Sequence, residues 1–77
     1  MRLVYTAHAR SRMALRGLSE SDVEAVVTHP YRIARSRRCG DPIYFGRVNG
    51  EGVAVVVAAG SVPPRVVTVW SARRGRT

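Results

Sequence analysis

The sequence predicts a small α+β domain in which two N-terminal helices pack on one face of a sheet of about four antiparallel strands. Two observations lead to this fold class. Apolar residues follow a helical period early in the chain and alternate with a period of two from residue 31 onward. Short turn sequences separate the strand-like segments, as is typical of antiparallel hairpins. We expect residues 1–72 to form this single domain and residues 73–77 to form a basic flexible tail.

The first predicted helix spans Ala7–Arg16 and is rich in residues that favour helices. Gly17 follows it and suits the left-handed backbone conformation that often ends a helix. Residues 3–5, which precede this helix, form either a short strand or a simple lead-in.

The second predicted helix begins after Ser19, whose side chain can cap the free N–H groups of a helix start. Asp22 lies three residues later, so the two residues resemble a capping box. The apolar stripe of this helix consists of Val23, Val26 and Val27. Pro30 ends the helix because proline lacks an N–H group and disfavours helical geometry in the residue before it.

Four strands are expected in the remainder of the chain, at residues 31–36, 43–48, 53–59 and Arg65–Ser71. The dipeptide Asn49-Gly50 predicts a tight hairpin between the second and third of them. The third strand is apolar on both faces, which indicates a central position in the sheet.

The faces of the second predicted strand are assigned from its large apolar residues. Ile43 and Phe45 share one face, which we therefore expect to meet the helices. Arg47 shares that face and would have to reach an edge or an acidic residue. Tyr44 would then lie on the open face, and Gly46 would mark a bulge or a close backbone approach.

Charge is the strongest compositional signal. The thirteen basic residues are all arginine and outnumber five acidic residues, which gives a formal net charge of +8. This charge predicts attraction to polyanions, and the planar guanidinium group suits phosphate. A GC-rich genome would explain the missing lysine equally well, but it would not remove the charge.

The remaining composition argues against several classes of protein. Cys39 is the single cysteine, so it forms no internal disulfide and fits a reducing cytosol. The N-terminus does not resemble a signal peptide, and the longest apolar run, residues 53–59, is too short to cross a membrane. Two histidines and few acids make a metal site unconvincing. We therefore expect a cytoplasmic protein with no metal, no cofactor and no membrane partner.

Three residues on the first helix form the leading candidate site. His8, Arg12 and Arg16 are four residues apart, so they share one helix face. Histidine can take a proton from a ribose 2′-hydroxyl near neutral pH, and arginine can stabilise a reacting phosphate. We interpret His8 as catalytic base or acid, and Arg12 as a catalytic residue that binds the scissile phosphate. Arg12 and Arg16 are both expected to bind nucleic acid.

Each of these residues also has a structural explanation. His8 can serve as a capping or sheet-contacting residue at the start of a helix. Arg12 can form an ion pair with the acids of the second helix. Arg16 is favourable at a helix C-terminus whatever its function, and we consider a structural role the better explanation there.

The sheet is expected to supply the rest of the site. Tyr44 could stack on a base or donate a proton, and Thr68 could bind a phosphate. Trp70 could stack on a base, but packing at the edge of the core is the better explanation for it. Val66, Thr68 and Trp70 would share one face. Further arginines, expected to contact nucleic acid, are Arg47, Arg73 and Arg74.

A family resemblance extends over most of the chain, from His8 to Trp70. It rests on the pattern H-A-x-x-R-M-x-x-R-G, an S-x-x-D/E helix start, a Y-x-G-R-x-N-G hairpin and a closing V-T-V strand. The chain carries these as His8-Ala9, Arg12-Met13, Arg16-Gly17, Ser19 with Asp22, Tyr44 to Gly50, and Val67-Thr68-Val69. It resembles the domain-of-unknown-function 4258 family, which is similar in layout to RelE- and BrnT-type toxins with a barnase-like fold.

The resemblance implies a toxin-like protein that cleaves RNA without a metal ion. Its partners would be RNA and an acidic antitoxin or immunity protein, whose charge would complement that of this chain. Two other functions remain open. One is non-catalytic binding of nucleic acid, and the other is a protein-interaction module whose exposed sheet edge pairs with a partner strand or with a second copy in a homodimer.

Overall fold

The helical and alternating segments of the chain become two helices and five strands in a computed structural model, which describes residues 2–37 and 40–71. In chain order they are β1 (Val4–Tyr5), α1 (Ala7–Arg16), α2 (Glu20–Thr28), β2 (Arg32–Arg35), β3 (Pro42–Val48), β4 (Glu51–Val57) and β5 (Arg65–Ser71). The α+β class is confirmed, and so is the expected layout in outline, with both helices on one face of the sheet. The expected tail lies outside the described residues.

The sheet has the strand order β1-β5-β4-β3-β2, so β4 is central as predicted. The prediction of about four antiparallel strands is wrong in one respect, because β1 adds a fifth strand that runs parallel to β5. The Val4 N–H donates to the Pro64 carbonyl at 2.9 Å, and the Thr6 N–H donates to the Val66 carbonyl at 3.1 Å. The segment before α1 is therefore a strand, and its pairing satisfies the Pro64 and Val66 carbonyls, which would otherwise be unpaired.

Local capping sets the ends of both helices. Thr6 precedes α1, and its hydroxyl accepts a hydrogen bond from the Ala9 N–H at 3.0 Å. Gly17 ends α1 with a φ of 70°, as its position in the sequence predicts. At α2, the Ser19 hydroxyl accepts from the Asp22 N–H at 3.1 Å and the Asp22 carboxylate accepts from the Ser19 N–H at 3.0 Å. The predicted capping box is therefore confirmed.

The core lies between the helices and the sheet. It consists of Ala9, Met13, Val23, Val26, Val27, Val53, Val55, Val57, Val66 and Val69. Helix α1 packs over β5, and α2 packs over β3 and β4. Valine dominates this core, so its stability depends on many small apolar contacts rather than on a few large side chains.

Gly46 determines which face of β3 meets the helices. A Cβ atom on Gly46 would lie 3.0 Å from Val26 Cγ2 and 3.2 Å from Val26 Cα, so α2 approaches the strand at the one residue without a side chain. Tyr44 and Val48, on the same face, pack against the core. The predicted assignment of faces is therefore wrong, and only the expectation of a close backbone approach at Gly46 is confirmed.

The opposite surface of the sheet, here called the helix-free face, is defined by the strand register. Its residues are Arg32, Ala34, Ile43, Phe45, Arg47, Gly52, Ala54, Val56, Thr68 and Trp70. Ile43, Phe45 and Arg47 thus lie away from the helices, because their side chains alternate with those of Tyr44 and Gly46.

A β-bulge in β5 also changes a predicted face. Val57 pairs with Val66 and Val56 pairs with Thr68, so Val67 is an extra residue between them. Val66 therefore points into the core, where it is fully buried, while Thr68 lies on the helix-free face. The prediction that Val66 shares a face with Thr68 and Trp70 is wrong, because it assumed uninterrupted alternation.

Ionisation of the Tyr5 phenol makes the stability of the fold depend on pH in the alkaline range. Burial raises the pKa of Tyr5 above its ordinary value of 10.0, and Glu20 and Glu24 raise this pKa further, while Arg10 lowers it. The folded chain therefore holds this proton more tightly than the unfolded chain. The resulting stabilisation is complete below about pH 10 and is lost as pH rises through the raised pKa. Urea unfolding at increasing pH should show this loss, and Tyr5→Phe should make it shallower.

Candidate functional site

The start of α1 is fixed to β5 by Thr6. Besides its backbone bond to Val66, the Thr6 hydroxyl donates to the Val67 carbonyl at 3.0 Å. His8 follows two residues later in the first turn of α1 and is exposed. Its Nε2 atom lies 3.1 Å from the Thr68 hydroxyl, although 60 residues separate the two in sequence. The structure thus brings together two of the predicted catalytic residues.

The contact with Thr68 orients the imidazole ring of His8. If Nε2 carries the proton, it donates to the hydroxyl, and otherwise the hydroxyl donates to Nε2. In both tautomers Nε2 is engaged with Thr68, so Nδ1 is the ring nitrogen that remains to exchange a proton with a ligand. A histidine held by a hydroxyl group in this way is positioned for proton transfer at the surface.

An open edge of the sheet lies beside this pair. Strand β1 pairs only with Arg65 and Val66, so within the described residues no strand covers β5 beyond Val66 on that side. His8 and Thr68 meet at this uncovered edge. A chain-like ligand could therefore approach both residues without displacing a secondary-structure element.

Arg12 lies four residues after His8 on the same face of α1. It is half-buried, and it has no hydrogen bond or ion pair with any residue in 2–37 or 40–71. The expected alternative, an ion pair between Arg12 and the acids of α2, does not form. Arg10, on the other side of α1, makes that pair with Glu20 at 2.9 Å. The guanidinium group of Arg12 is therefore available to an anion.

The other predicted site residues lie elsewhere. Tyr44 packs on the helix-facing side of the sheet and does not join His8 and Thr68, which corrects its predicted place on the open face. Arg16 is exposed in the last turn of α1, where a cation is favourable. Arg47 lies on the helix-free face with its Cζ atom 5.6 Å from the centre of the Tyr31 ring. Arg73 and Arg74 lie outside the described residues.

Two further residues of the helix-free face were not predicted as part of a site. Arg32 lies with its Cζ atom 5.4 Å from the centre of the Phe45 ring, and both face away from the helices. The pair was not predicted because Phe45 was expected to face the helices. The signal that could have revealed it is Gly46, because a glycine inside a strand indicates the face that another backbone approaches.

The described residues contain no group of three or more His, Cys, Asp or Glu side chains arranged to hold a metal ion. None of the helices in residues 2–37 and 40–71 has the length and apolar composition that crossing a membrane requires.

Comparison with known proteins identifies a family for this chain. A family model described as "Domain of unknown function (DUF4258)" matches residues 5–71, from β1 to the end of β5. No curated protein and no solved structure matches the chain. The match covers His8, Arg12 and Thr68 together with both helices and all of the sheet except Val4.

Proposed function

The chain belongs to the DUF4258 family, and we propose that this member is a small RNA-directed protein that cleaves RNA at the His8–Thr68 pair without a metal ion. The observation that carries the proposal is the 3.1 Å contact between His8 Nε2 and the Thr68 hydroxyl. It places an oriented proton carrier at an open sheet edge in a chain with a net charge of +8.

In the proposed reaction, His8 removes the proton of a ribose 2′-hydroxyl. The freed oxygen attacks the adjacent phosphorus, the bond from phosphorus to the 5′-oxygen breaks, and that oxygen takes a proton from solvent. The products are a 2′,3′-cyclic phosphate and a 5′-hydroxyl. Arg12 binds the non-bridging oxygens and stabilises their developing charge, while Thr68 holds the imidazole in place.

The resemblance in layout to RelE- and BrnT-type toxins forms part of this proposal. The high positive charge supports an acidic antitoxin or immunity protein as partner, since complementary charge accelerates association.

A second candidate function is binding of nucleic acid without cleavage. It is favoured by the position of Tyr44, which leaves His8 without the aromatic proton donor that was expected beside it. Binding without cleavage requires only the arginines, and it predicts affinity that falls steeply with salt and no new RNA ends.

The test is incubation of the purified protein with RNA in EDTA, followed by analysis of the product ends. We expect 2′,3′-cyclic phosphate ends, and we expect His8→Ala to reduce the rate by about 10²–10⁴-fold, because general base catalysis contributes that much. His29→Ala is the matched control, since His29 is exposed beyond the end of α2 and should not affect the rate. Equal cleavage by His8→Ala, or no cleavage at high protein concentration, would contradict the proposal.

A further inference from the structure

A row of paired residues crosses the helix-free face from β2 to β5. Arg32 pairs with Phe45, Phe45 pairs with Ala54, and Ala54 pairs with Trp70. Because neighbouring strands lie about 4.8 Å apart, the backbone positions of Phe45 and Trp70 are about 10 Å apart, and only the methyl group of Ala54 lies between the two side chains. Ala54 forms the floor of a shallow hollow of about 60 Å³, which Tyr31 also lines. The row thus presents flat aromatic walls around a small residue.

Two arginine side chains lie against aromatic rings on this surface. Arg32 lies over Phe45 and Arg47 lies over Tyr31, with distances of 5.4 and 5.6 Å from Cζ to the ring centres. Tyr31 is 61% exposed and Trp70 is 39% exposed, which is unusual for rings whose only role is packing. Neither Arg32 nor Arg47 forms an ion pair with a residue that the structure describes. We call Tyr31, Arg32, Phe45, Arg47 and Trp70 the aromatic surface.

Acidic side chains are placed away from the aromatic surface. Glu20, Asp22 and Glu24 belong to α2, on the other side of the sheet. Glu51 pairs with Val48 and so shares the helix-facing side, while Asp41 precedes β3 and accepts a hydrogen bond from the Ala59 N–H. The ten strand residues that define the helix-free face therefore include two arginines and two aromatic residues but no carboxylate.

This combination fits one class of ligand better than others. Single-stranded nucleic acid offers unpaired bases that stack on aromatic rings and phosphates that pair with arginine. A duplex buries its base faces. The carboxylates of an acidic polypeptide pair with arginine but do not stack on aromatic rings. We propose that the aromatic surface binds the unpaired bases of a single-stranded nucleic acid.

The position of Thr68 connects this surface to the candidate cleavage site. Thr68 and Trp70 lie on the same face of β5, about 7 Å apart along the strand, and Thr68 contacts His8. A nucleic-acid strand with a base stacked on Trp70 therefore passes beside His8. In this respect the inference rests on the proposed function, and it identifies the substrate as single-stranded RNA.

The experiment measures binding in the His8→Ala protein, so that cleavage does not interfere. The probe is a fluorescently labelled single-stranded RNA of twelve uridines, compared with an RNA duplex of equal length and with poly-glutamate as competitor. Trp70 is the only tryptophan of the chain, so its own fluorescence reports stacking directly. We expect quenching by the single strand, and an affinity about tenfold weaker or more in Trp70→Ala, as loss of one stacked base predicts.

Three further variants make the measurement specific. Tyr31→Ala should also weaken binding, while Trp70→Phe should preserve most of it because a ring remains. Leu15→Ala, which removes an exposed apolar side chain from α1 outside this surface, should leave affinity unchanged. Circular dichroism of each variant shows that it is folded, and Trp70→Phe provides the comparison if Trp70→Ala fails to fold.

The outcomes separate the inference from the proposed function. Quenching and selective single-strand binding without RNA cleavage by the wild type would support the inference and contradict the proposed function. Cleavage by the wild type, without quenching and with an unchanged KM in Trp70→Ala, would overturn the inference alone. Equal affinity for the duplex would indicate binding to phosphates only, and full competition by poly-glutamate would indicate a surface for acidic protein. Either of these last two results would also overturn the inference.

Discussion

Replacing Arg12 with alanine should slow RNA cleavage by about 10²–10³-fold, which is the effect of removing one group that stabilises the charge of a reacting phosphate. The expectation follows from the position of Arg12 on the His8 face of α1 and from its freedom from ion pairs within the described residues. Single-turnover cleavage of a defined RNA measures the change. Arg12→Lys should slow cleavage less than Arg12→Ala does, because lysine keeps the positive charge. Some loss of rate should remain, because lysine lacks the two-pronged geometry of the guanidinium group.

Arg10→Ala is the matched control for this prediction. It removes the same side chain from the same helix, but Arg10 points toward α2 and pairs with Glu20. Both partners of this pair are more than half exposed, at 58% and 52%, so its loss should cost little stability. If Arg10→Ala slows cleavage as much as Arg12→Ala does, the effect comes from general positive charge, and the assignment of Arg12 to the reacting phosphate is wrong.

Gly46→Ala should destabilise the domain by about 1–2 kcal/mol. A methyl group there would lie 3.0 Å from the Val26 side chain and 3.2 Å from Val26 Cα, so α2 would have to move away from β3. Such overpacking costs about 1–3 kcal/mol, and the reduced freedom of the unfolded chain offsets only about 0.4–1 kcal/mol of it. Thermal unfolding should show a lower midpoint, by roughly 4–8 °C for each kcal/mol in a domain of this size.

A double-mutant cycle with Val26→Ala identifies the cause. Val26→Ala removes the two methyl groups nearest to the new Cβ atom, at 3.0 and 3.1 Å. In that background the cost of Gly46→Ala should fall by about 1 kcal/mol or more, because contacting residues do not act additively. An unchanged cost would mean that the approach of α2 does not explain why glycine occupies this position.

The candidate site depends on a small structural detail, the attachment of α1 to the edge of β5. Thr6 caps α1 and also binds the Val66 and Val67 carbonyls, so the first helical turn begins beside β5. The bulge at Val67 then places Thr68 on the helix-free face, where His8 reaches it around the open edge. Without the bulge, alternation from Val66 would turn the Thr68 side chain toward the helices.

Much of the secondary structure could be predicted because its signals are local. The predicted bounds of α1 and β5 agree with the structure, and the cap at Ser19 and the hairpin at Asn49-Gly50 form as expected. Each signal acts within a few residues of chain, through a cap, a turn or a change of period. The resemblance to the DUF4258 family was also visible in the sequence, and the family match over residues 5–71 confirms that membership.

Prediction failed where the outcome depended on contacts between distant segments. The sequence alone determined two capped helices, strands near the observed positions and a net charge of +8. Only the tertiary structure decided that Gly46 rather than Phe45 faces the helices, that β1 joins β5, and that His8 meets Thr68. The physical reason is that period-two alternation shows which residues share a face but not which face is buried. That choice depends on how closely α2 can approach β3, and the meeting of His8 with Thr68 depends on a strand pairing across some 60 residues.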